Sequence, residues 1–243
     1  MCLKSYAKKI PYLKKLRDTI NDLVNPLMIS QLSLKKVMLK QAHLARGVLL
    51  DIGSGGKPYQ KVYDISDYIA LDIAKNYNVD IQGDGMLLPI KSSVIDTVIS
   101  NEVLEHIPRP QDFMNEAFRV LKPGGILILT TPQTWGLHHE PHDYYRYTKY
   151  GLHYLSETVG FEVLNIYPTT GFISTFIQRS VDTLLHHYLI DSPKILKRLI
   201  CFLFAPVSWL GLFVTYFKSK YGDTLDNVLI ARKPLGNELE LIG

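Results

Sequence analysis

The chain reads as an α/β protein, a doubly wound parallel sheet with helices on its faces. Three observations predict this. Residues 48–56, Val-Leu-Leu-Asp-Ile-Gly-Ser-Gly-Gly, are an apolar run closed by an acid and then by glycines, the pattern of a buried parallel strand entering a sharp turn. Nineteen residues beyond Gly53, Asp72 closes a second apolar run, Tyr68-Ile-Ala-Leu-Asp72. An acid at about that distance is where a nucleotide-binding βαβ unit reads ribose hydroxyls. Further downstream, apolar runs at 94–100 and 126–131 alternate with a helical periodicity from Gln111 to Leu121.

The glycine turn discriminates among nucleotide ligands. A dinucleotide fingerprint places a third glycine where this chain has Pro58, next to Lys57. Proline has no N–H, so a helix starting there offers one phosphate donor fewer. A ligand with a cationic centre and no phosphates suits a turn headed by Asp51 better.

After Asp72 come Gly83-Asp84-Gly85, Leu87-Leu88-Pro89, the run Val94 to Ser100, then Asn101-Glu-Val-Leu-Glu-His106. The helical run, the turn Lys122-Pro123-Gly124-Gly125 and the strand Ile126 to Thr131 follow. In this order these segments resemble the class I S-adenosylmethionine-dependent methyltransferases, especially the type 11 group, over roughly 47–167 and again at 226–233. The resemblance implies a Rossmann-like, seven-stranded sheet with an antiparallel last strand, and S-adenosyl-L-methionine as cofactor. It implies that Asp51 with Gly53, Ser54 and Gly55 faces the methionine part, and that Asp72, followed by Ile73, accepts hydrogen bonds from both ribose hydroxyls. By the same resemblance Asp84 and Gly85 meet the adenine, and Ser100 and Asn101 line the sulfonium side. Lys57 departs from the family pattern by standing where the last glycine of the turn belongs.

On the acceptor side the resemblance places His138-His-Glu-Pro-His-Asp-Tyr-Tyr-Arg-Tyr-Thr148. A hydroxyl acceptor gains from a base of near-neutral pKa, and histidine is the natural choice. His142, His139 and His106 are the candidates. Three histidines and two acids are also ordinary metal ligands, but Pro141 and adjacent, oppositely directed side chains work against convergence, so no metal site is assigned. Thr148 is expected to cap the helix that runs to Gly160.

Length and composition set the frame. A chain of 243 residues, 47% apolar and 21% charged, can bury a sizeable core and is not of disordered type. Cys2 and Cys201 stand far apart and form neither a disulfide framework nor a zinc pattern, which points to a reducing cytoplasm. Interspersed lysines break up any signal-peptide h-region. The formal charge of +4 is unevenly spread: residues 1–46 hold ten Lys/Arg and two Asp, a local +8 that leaves −4 for the rest. Leu13, Leu16, Ile20 and Leu23 predict an amphipathic helix ended by Asn25-Pro26, and a second helix is expected from Ser33 to Arg46. No stacking platform accompanies the basic residues, so nucleic acid is not an expected partner.

Leu199 to Phe217 is nineteen residues without a charge, flanked by cations, long enough to be a transmembrane candidate. The strands expected at 160–167 and 226–233 would pair in one sheet, so a single crossing would separate them. Pro206 is expected to bend the stretch into two arms. The organisation read from the sequence is therefore basic N-terminal helices (1–46), a core (47–171 and 222–235), an apolar helical insertion (172–221) serving as lid or monotopic anchor, and a tail (236–243). Partners expected are a small-molecule or lipid-linked acceptor and, through 199–217 and the basic N-terminus, the inner face of a membrane. The rival classes are an NAD(P)-dependent oxidoreductase and a non-catalytic membrane adaptor.

Overall fold

Leu49–Ile52 (β1), Tyr68–Asp72 (β2), Ile81–Gln82 (β3), Ile95–Asn101 (β4), Leu121–Pro132 (β5), Glu162–Pro168 (β6) and Asp226–Arg232 (β7) pair in one sheet of order β3-β2-β1-β4-β5-β7-β6. The first five are parallel, and β7 runs antiparallel to both β5 and β6. The structure is a computed structural model that describes residues 25–63, 65–75, 77–214 and 222–236. The chain divides into two compact units. One holds the sheet, with the described residues of 34–169 and 222–236; the other holds 25–33 and 170–214.

Strand residues of period two split into two apolar faces. Leu50, Leu71, Val98, Leu127, Leu129 and Leu229 bury against Phe113, Met114 and Ala117 of the helix Pro110–Val120 (α2) and Leu152 of the helix Lys149–Val159 (α3). Leu49, Ile99, Ile126, Ile128 and Ile230 take the other face with Tyr63 and with Leu34, Val37 and Met38 of the helix Met28–Gln41 (α1). Thr148 caps α3 through Gly151 N–H, and Gly160 ends it at φ +101°, because a residue without Cβ adopts the left-handed conformation that closes a helix.

Several boundaries differ from the sequence reading. The second N-terminal helix starts at Met28, not Ser33, and gives way at Gln41 to a 3₁₀ turn, Ala42–Leu44. The turn expected at Lys122–Gly125 is part of β5, whose pairing with β4 shifts register between Ile95 and Thr97. Between β1 and β2 the described residues form turns, not a helix. No helix N-terminus therefore follows the glycines there. The helix expected through Leu13–Leu23 lies outside the described residues, as do 215–221 and 237–243.

In the other unit, the helices Phe172–Thr183 (α4) and Lys194–Val214 (α5) form a hairpin joined by a π-helical turn, Leu184–Tyr188. The reversal falls at 184–193, and α5 runs through Pro206 without breaking into two arms. A Cβ on Gly211 would come within 2.8 Å of Ile29 Cδ1, so a side chain there would displace that methyl, and Ser174 Oγ donates to the Gly211 carbonyl at 2.8 Å. Among the described residues, Ile195–Val214 is the one helix long and apolar enough to cross a membrane, and only 11% of its most apolar window is buried.

Phe113 is fully buried and lies under Gly85, where a Cβ would meet its ring at 2.8 Å. Phe113→Ala should cost about 3–5 kcal/mol of unfolding free energy, measured as the shift in urea midpoint.

Candidate active site

The order of strands reverses between β1 and β4, and the residues read from the sequence gather at the carboxyl ends beside that reversal, where open α/β sheets bind ligands. Gly53 leaves β1 at φ +73°, and a Cβ there would meet Val103 Cγ2 at 2.4 Å. The Gly53 and Ser54 N–H groups both donate to the Leu71 carbonyl, at 2.8 and 3.0 Å. Gly55 follows at φ +48° and donates its N–H to Asp72 Oδ2 at 2.8 Å. Lys57, the departure from the family pattern, itself adopts φ +58°. Its N–H reaches Ser54 O at 2.9 Å and its ammonium reaches Asp80 at 3.2 Å. The turn keeps the left-handed step that a glycine would supply, at a cost of roughly 1–2 kcal/mol.

Asp72 accepts one backbone bond on each oxygen, from Gly55 N–H and from Ala74 N–H at 2.8 Å. A carboxylate has about four acceptor sites, so each oxygen retains one for a diol. Asp84 Oδ1 accepts from Met86 N–H at 2.8 Å, and Gly83 N–H bonds the Asp72 carbonyl at 3.0 Å, which sets the Asp84–Gly85 turn beside the end of β2. Ile73 is 68% exposed and Leu87, which the sequence did not assign to the cofactor, 77%. Ser100 is buried with its hydroxyl donating to the Ile52 carbonyl at 3.0 Å. It braces β4 against β1. Asn101 Oδ1 meets Thr130 Oγ1 at 3.4 Å, while Asn101 Nδ2 and Ser54 Oγ are buried without a hydrogen-bond partner among the described residues.

Asp51 is buried, with only the Tyr68 hydroxyl bonded to its side chain among the described residues. Burial pushes its pKa up to about 6, against the Tyr68 bond, with the nearby Asp72 charge adding and Lys57 opposing. Burial and then the Asp51 charge raise the Tyr68 phenol in turn. A buried carboxylate at a glycine turn, with unsatisfied polar atoms beside it, suits a ligand that brings a cationic ammonium and further hydrogen-bonding groups.

A second polar cluster lies where β4 and β5 end. Glu102 has φ +54° and is raised well above the ordinary carboxylate range by burial and by the Asp226 and Glu105 charges. Burial raises Asp226 to about 7. Neither acid was singled out in the sequence, nor were Glu105 and Tyr68, and His138 entered only as one of the loop's three histidines. The spacing Glu102-x-x-Glu105-His106 straight after a strand was the one signal available.

The loop folds back on Glu105, whose carbonyl accepts from Tyr144 N–H at 2.8 Å and Tyr145 N–H at 3.3 Å. Arg146 pairs with Asp143 through both carboxylate oxygens, at 2.6 and 2.7 Å. Burial opposes this pair, yet Arg146 brings Asp143 down to about 2. Of the predicted histidines, His106 points its Nδ1 at the His142 carbonyl, 2.6 Å away, and His142 Nδ1 meets the Tyr144 hydroxyl at 2.9 Å. His139, at φ +52°, is exposed, with its ring centroid 5.3 Å from that of His106. The three predicted histidines thus share one loop cluster.

Residues 50–129 match the family model described as a methyltransferase domain. An uncharacterized methyltransferase of Mycobacterium leprae is 29% identical over 97 residues, 34% of this chain and 36% of that protein. A "Probable S-adenosylmethionine-dependent methyltransferase" of Mycolicibacterium smegmatis is 38% identical over 60 residues, 24% of this chain and 23% of that protein. The chain thus spans about a third or less of the length of these curated relatives. Among solved structures, the [4+2]-cyclase SpnF superposes with a TM-score of 0.56 at 21% identity, covering 84% of this chain and 81% of the other. That likeness is one of fold.

Two outcomes follow from the turn and its acid. Asp51 is protonated more readily in the folded than in the unfolded chain, so its contribution to stability is full below pH 3.8 and is lost as pH rises to about 6. Above that, keeping the charge in the ligand-free protein costs on the order of 3 kcal/mol. Asp51→Asn should therefore raise the unfolding free energy at pH 8 and change it little at pH 3.5, measured by urea titration at both pH values. Lys57→Gly should leave the protein as stable or up to about 1 kcal/mol more stable, because the left-handed strain is relieved while the Asp80 pair at the surface is weak.

Proposed function

We propose that this chain, whose residues 50–129 match the methyltransferase domain model, transfers the methyl group of S-adenosyl-L-methionine to a hydroxyl of an amphiphilic, lipid-linked acceptor and releases S-adenosylhomocysteine. The observation that carries the reading is the cradle at one sheet edge. Asp51, Asp72 and Asp84 are joined there through the Gly55 N–H and Gly83 N–H bonds, next to the unpartnered Ser54 Oγ and Asn101 Nδ2.

The cofactor supplies a methyl on a sulfonium, a leaving group that needs no protonation. In this reading the chain's residues bind and align. Asp72 takes the ribose diol on its two remaining acceptor sites. The Asp84 turn takes the adenine edge, with Ile73 and Leu87 offering apolar surface to its faces. Asp51 holds the ammonium, and Ser54 and Asn101 gain the partners they lack. Alignment of this kind contributes roughly 7–11 kcal/mol to a bimolecular transfer. The proton leaves the acceptor hydroxyl as the new C–O bond forms. Exposed His139 or His142 is placed to take it, since His106 directs one ring nitrogen to a carbonyl and the other to Glu105.

The amphiphilic part of the acceptor is argued from the helical hairpin. Leu199, Phe202, Leu203 and Leu210 of α5 are each at least 58% exposed, more apolar surface on one helix than a soluble face carries without a partner. Crossing by α5 would require a return through α4, whose Arg179–Asp182 pair is costly in hydrocarbon. Lying in one leaflet, with the basic N-terminal segment adding attraction to anionic lipid, fits both. The protein then works in the cytoplasm at the inner face of a membrane.

Two measurements test the reading. Asp72→Ala should weaken S-adenosylhomocysteine binding by ~100-fold or more in calorimetry, with the folded state retained by circular dichroism; unchanged affinity removes Asp72 from the site. Wild type should sediment with vesicles containing phosphatidylglycerol, and Leu199→Asp/Leu203→Asp should not. Transfer to a lipid-linked acceptor should fall in that variant, while transfer to the soluble headgroup persists. Equal loss on both acceptors refutes the membrane role.

A further inference from the structure

We propose that Glu105, His106 and His138 hold a divalent transition-metal ion, zinc foremost. Their ligand atoms all lie within 4.8 Å of one another. Glu105 Oε1 is the point of convergence, with His106 Nε2 and His138 Nε2 each 3.7 Å from it. Four donors around zinc at 2.0–2.1 Å stand roughly 3.4 Å apart, so the two 3.7 Å approaches need to shorten by a few tenths of an ångström and the widest pair, within 4.8 Å, by up to about 1.4 Å.

Two features independent of the clustering point to a cation. Glu105 is fully buried, and among the described residues its Oε1 has no hydrogen-bond partner, although Oε2 faces Thr131 Oγ1 at 3.4 Å. The far side of each imidazole is also already assigned. His106 Nδ1 lies 2.6 Å from the His142 carbonyl, an acceptor, so that nitrogen carries its hydrogen. His138 Nδ1 lies 3.1 Å from the Gly136 carbonyl and 3.4 Å from Asp143 Oδ2, with Arg146 Nη2 at the longer distance of 3.5 Å. With Nδ1 protonated in both rings, both Nε2 lone pairs face the carboxylate oxygen. Three lone pairs directed at one another repel unless a proton or a metal ion sits between them, and the Glu105 carboxylate already holds the His138 imidazole above its ordinary pKa. Metal-bound histidines are oriented in this way, with the other ring N–H held by a carbonyl or carboxylate. Here the outer support is itself fixed, because Arg146 clamps Asp143 and Asp143 Oδ2 accepts the His138 backbone N–H at 2.9 Å.

Imidazole with a single carboxylate suits zinc, iron, nickel or copper better than magnesium or calcium. Three protein ligands leave one position open, as in catalytic rather than closed zinc sites. The opening is toward exposed His139, whose ring centroid is 5.3 Å from that of His106 and 5.5 Å from that of His138. An oxygen ligand is expected in the fourth position. That this oxygen belongs to the acceptor rests on the proposed methyl transfer; metal uptake does not.

The test uses the full chain, stripped with a chelator and titrated with zinc sulfate, and separately with cobalt(II) chloride as a spectroscopic reporter. Wild type should take up about one equivalent of zinc per chain, and cobalt should give visible d–d bands of a four- or five-coordinate site. His106→Ala/His138→Ala should lower zinc affinity by ~100-fold or more and abolish the bands. His153→Ala, which removes an exposed histidine on α3, should leave both unchanged. S-adenosylhomocysteine binding, measured on the same samples, reports on the cofactor cradle separately from the metal. Uptake below about a tenth of an equivalent by wild type overturns the proposal whatever the variants do. So does equal uptake by the double variant.

Discussion

The hydrogen bond from the Gly55 N–H to the Asp72 carboxylate is the constraint on which the site depends. It joins the turn after β1 to the end of β2, and the Gly53 and Ser54 N–H groups repeat the connection through the Leu71 carbonyl. These bonds need the backbone to turn through left-handed conformations directly against Val103, which admits no side chain at position 53. Asp72 in turn carries the Gly83 N–H on its carbonyl and so sets the Asp84 turn. One short chain of bonds thus places three acids from separate strand ends.

Burial of acids is the second organising fact. Asp51, Glu105, Asp226 and Glu102 are withdrawn from water along the same carboxyl edge. The folded chain alone does not give each of them a compensating positive charge: Asp51 has a phenol, and Glu105 Oε1 faces two imidazole nitrogens. Such carboxylates are unfavourable in a dry site unless a cation arrives. In the proposed reading Asp51 meets an ammonium and Glu105 the metal ion. The left-handed residues Glu102 and His139 stand at the same edge, and strain of this kind gathers where surrounding structure holds it for a purpose.

Much of the fold was legible because the signals are local. The apolar runs at 48–52, 68–72 and 94–100 became β1, β2 and β4, Thr148 and Gly160 bound α3, and the antiparallel pairing of the last strands followed from the family resemblance. The misplacements have physical causes. The Met28–Leu34 turns of α1 are helical without a strong amphipathic signal, and continuous pairing with β4 and β7 draws Lys122–Gly125 into β5. Pro206 leaves α5 unbroken. The hairpin turns at 184–193 instead, where Pro193 immediately precedes the start of α5 at Lys194.

Sequence by itself determined the strand-turn-strand with its acids, because spacing along one chain segment fixes which side chains reach a strand end. It also determined the apolar insertion, because composition needs no partner to be read. Tertiary structure decided what the loop of histidines meets. Pro141 and alternating side chains made convergence within that segment improbable, and the convergence comes instead from Glu105 and His106, some thirty residues upstream. Likewise, the burial that raises Asp51, the Tyr68 phenol bonded to it, and the turning of Ser100 toward the Ile52 carbonyl are set by neighbouring strands. Contacts of that kind depend on register between segments distant in sequence, and no local pattern encodes them.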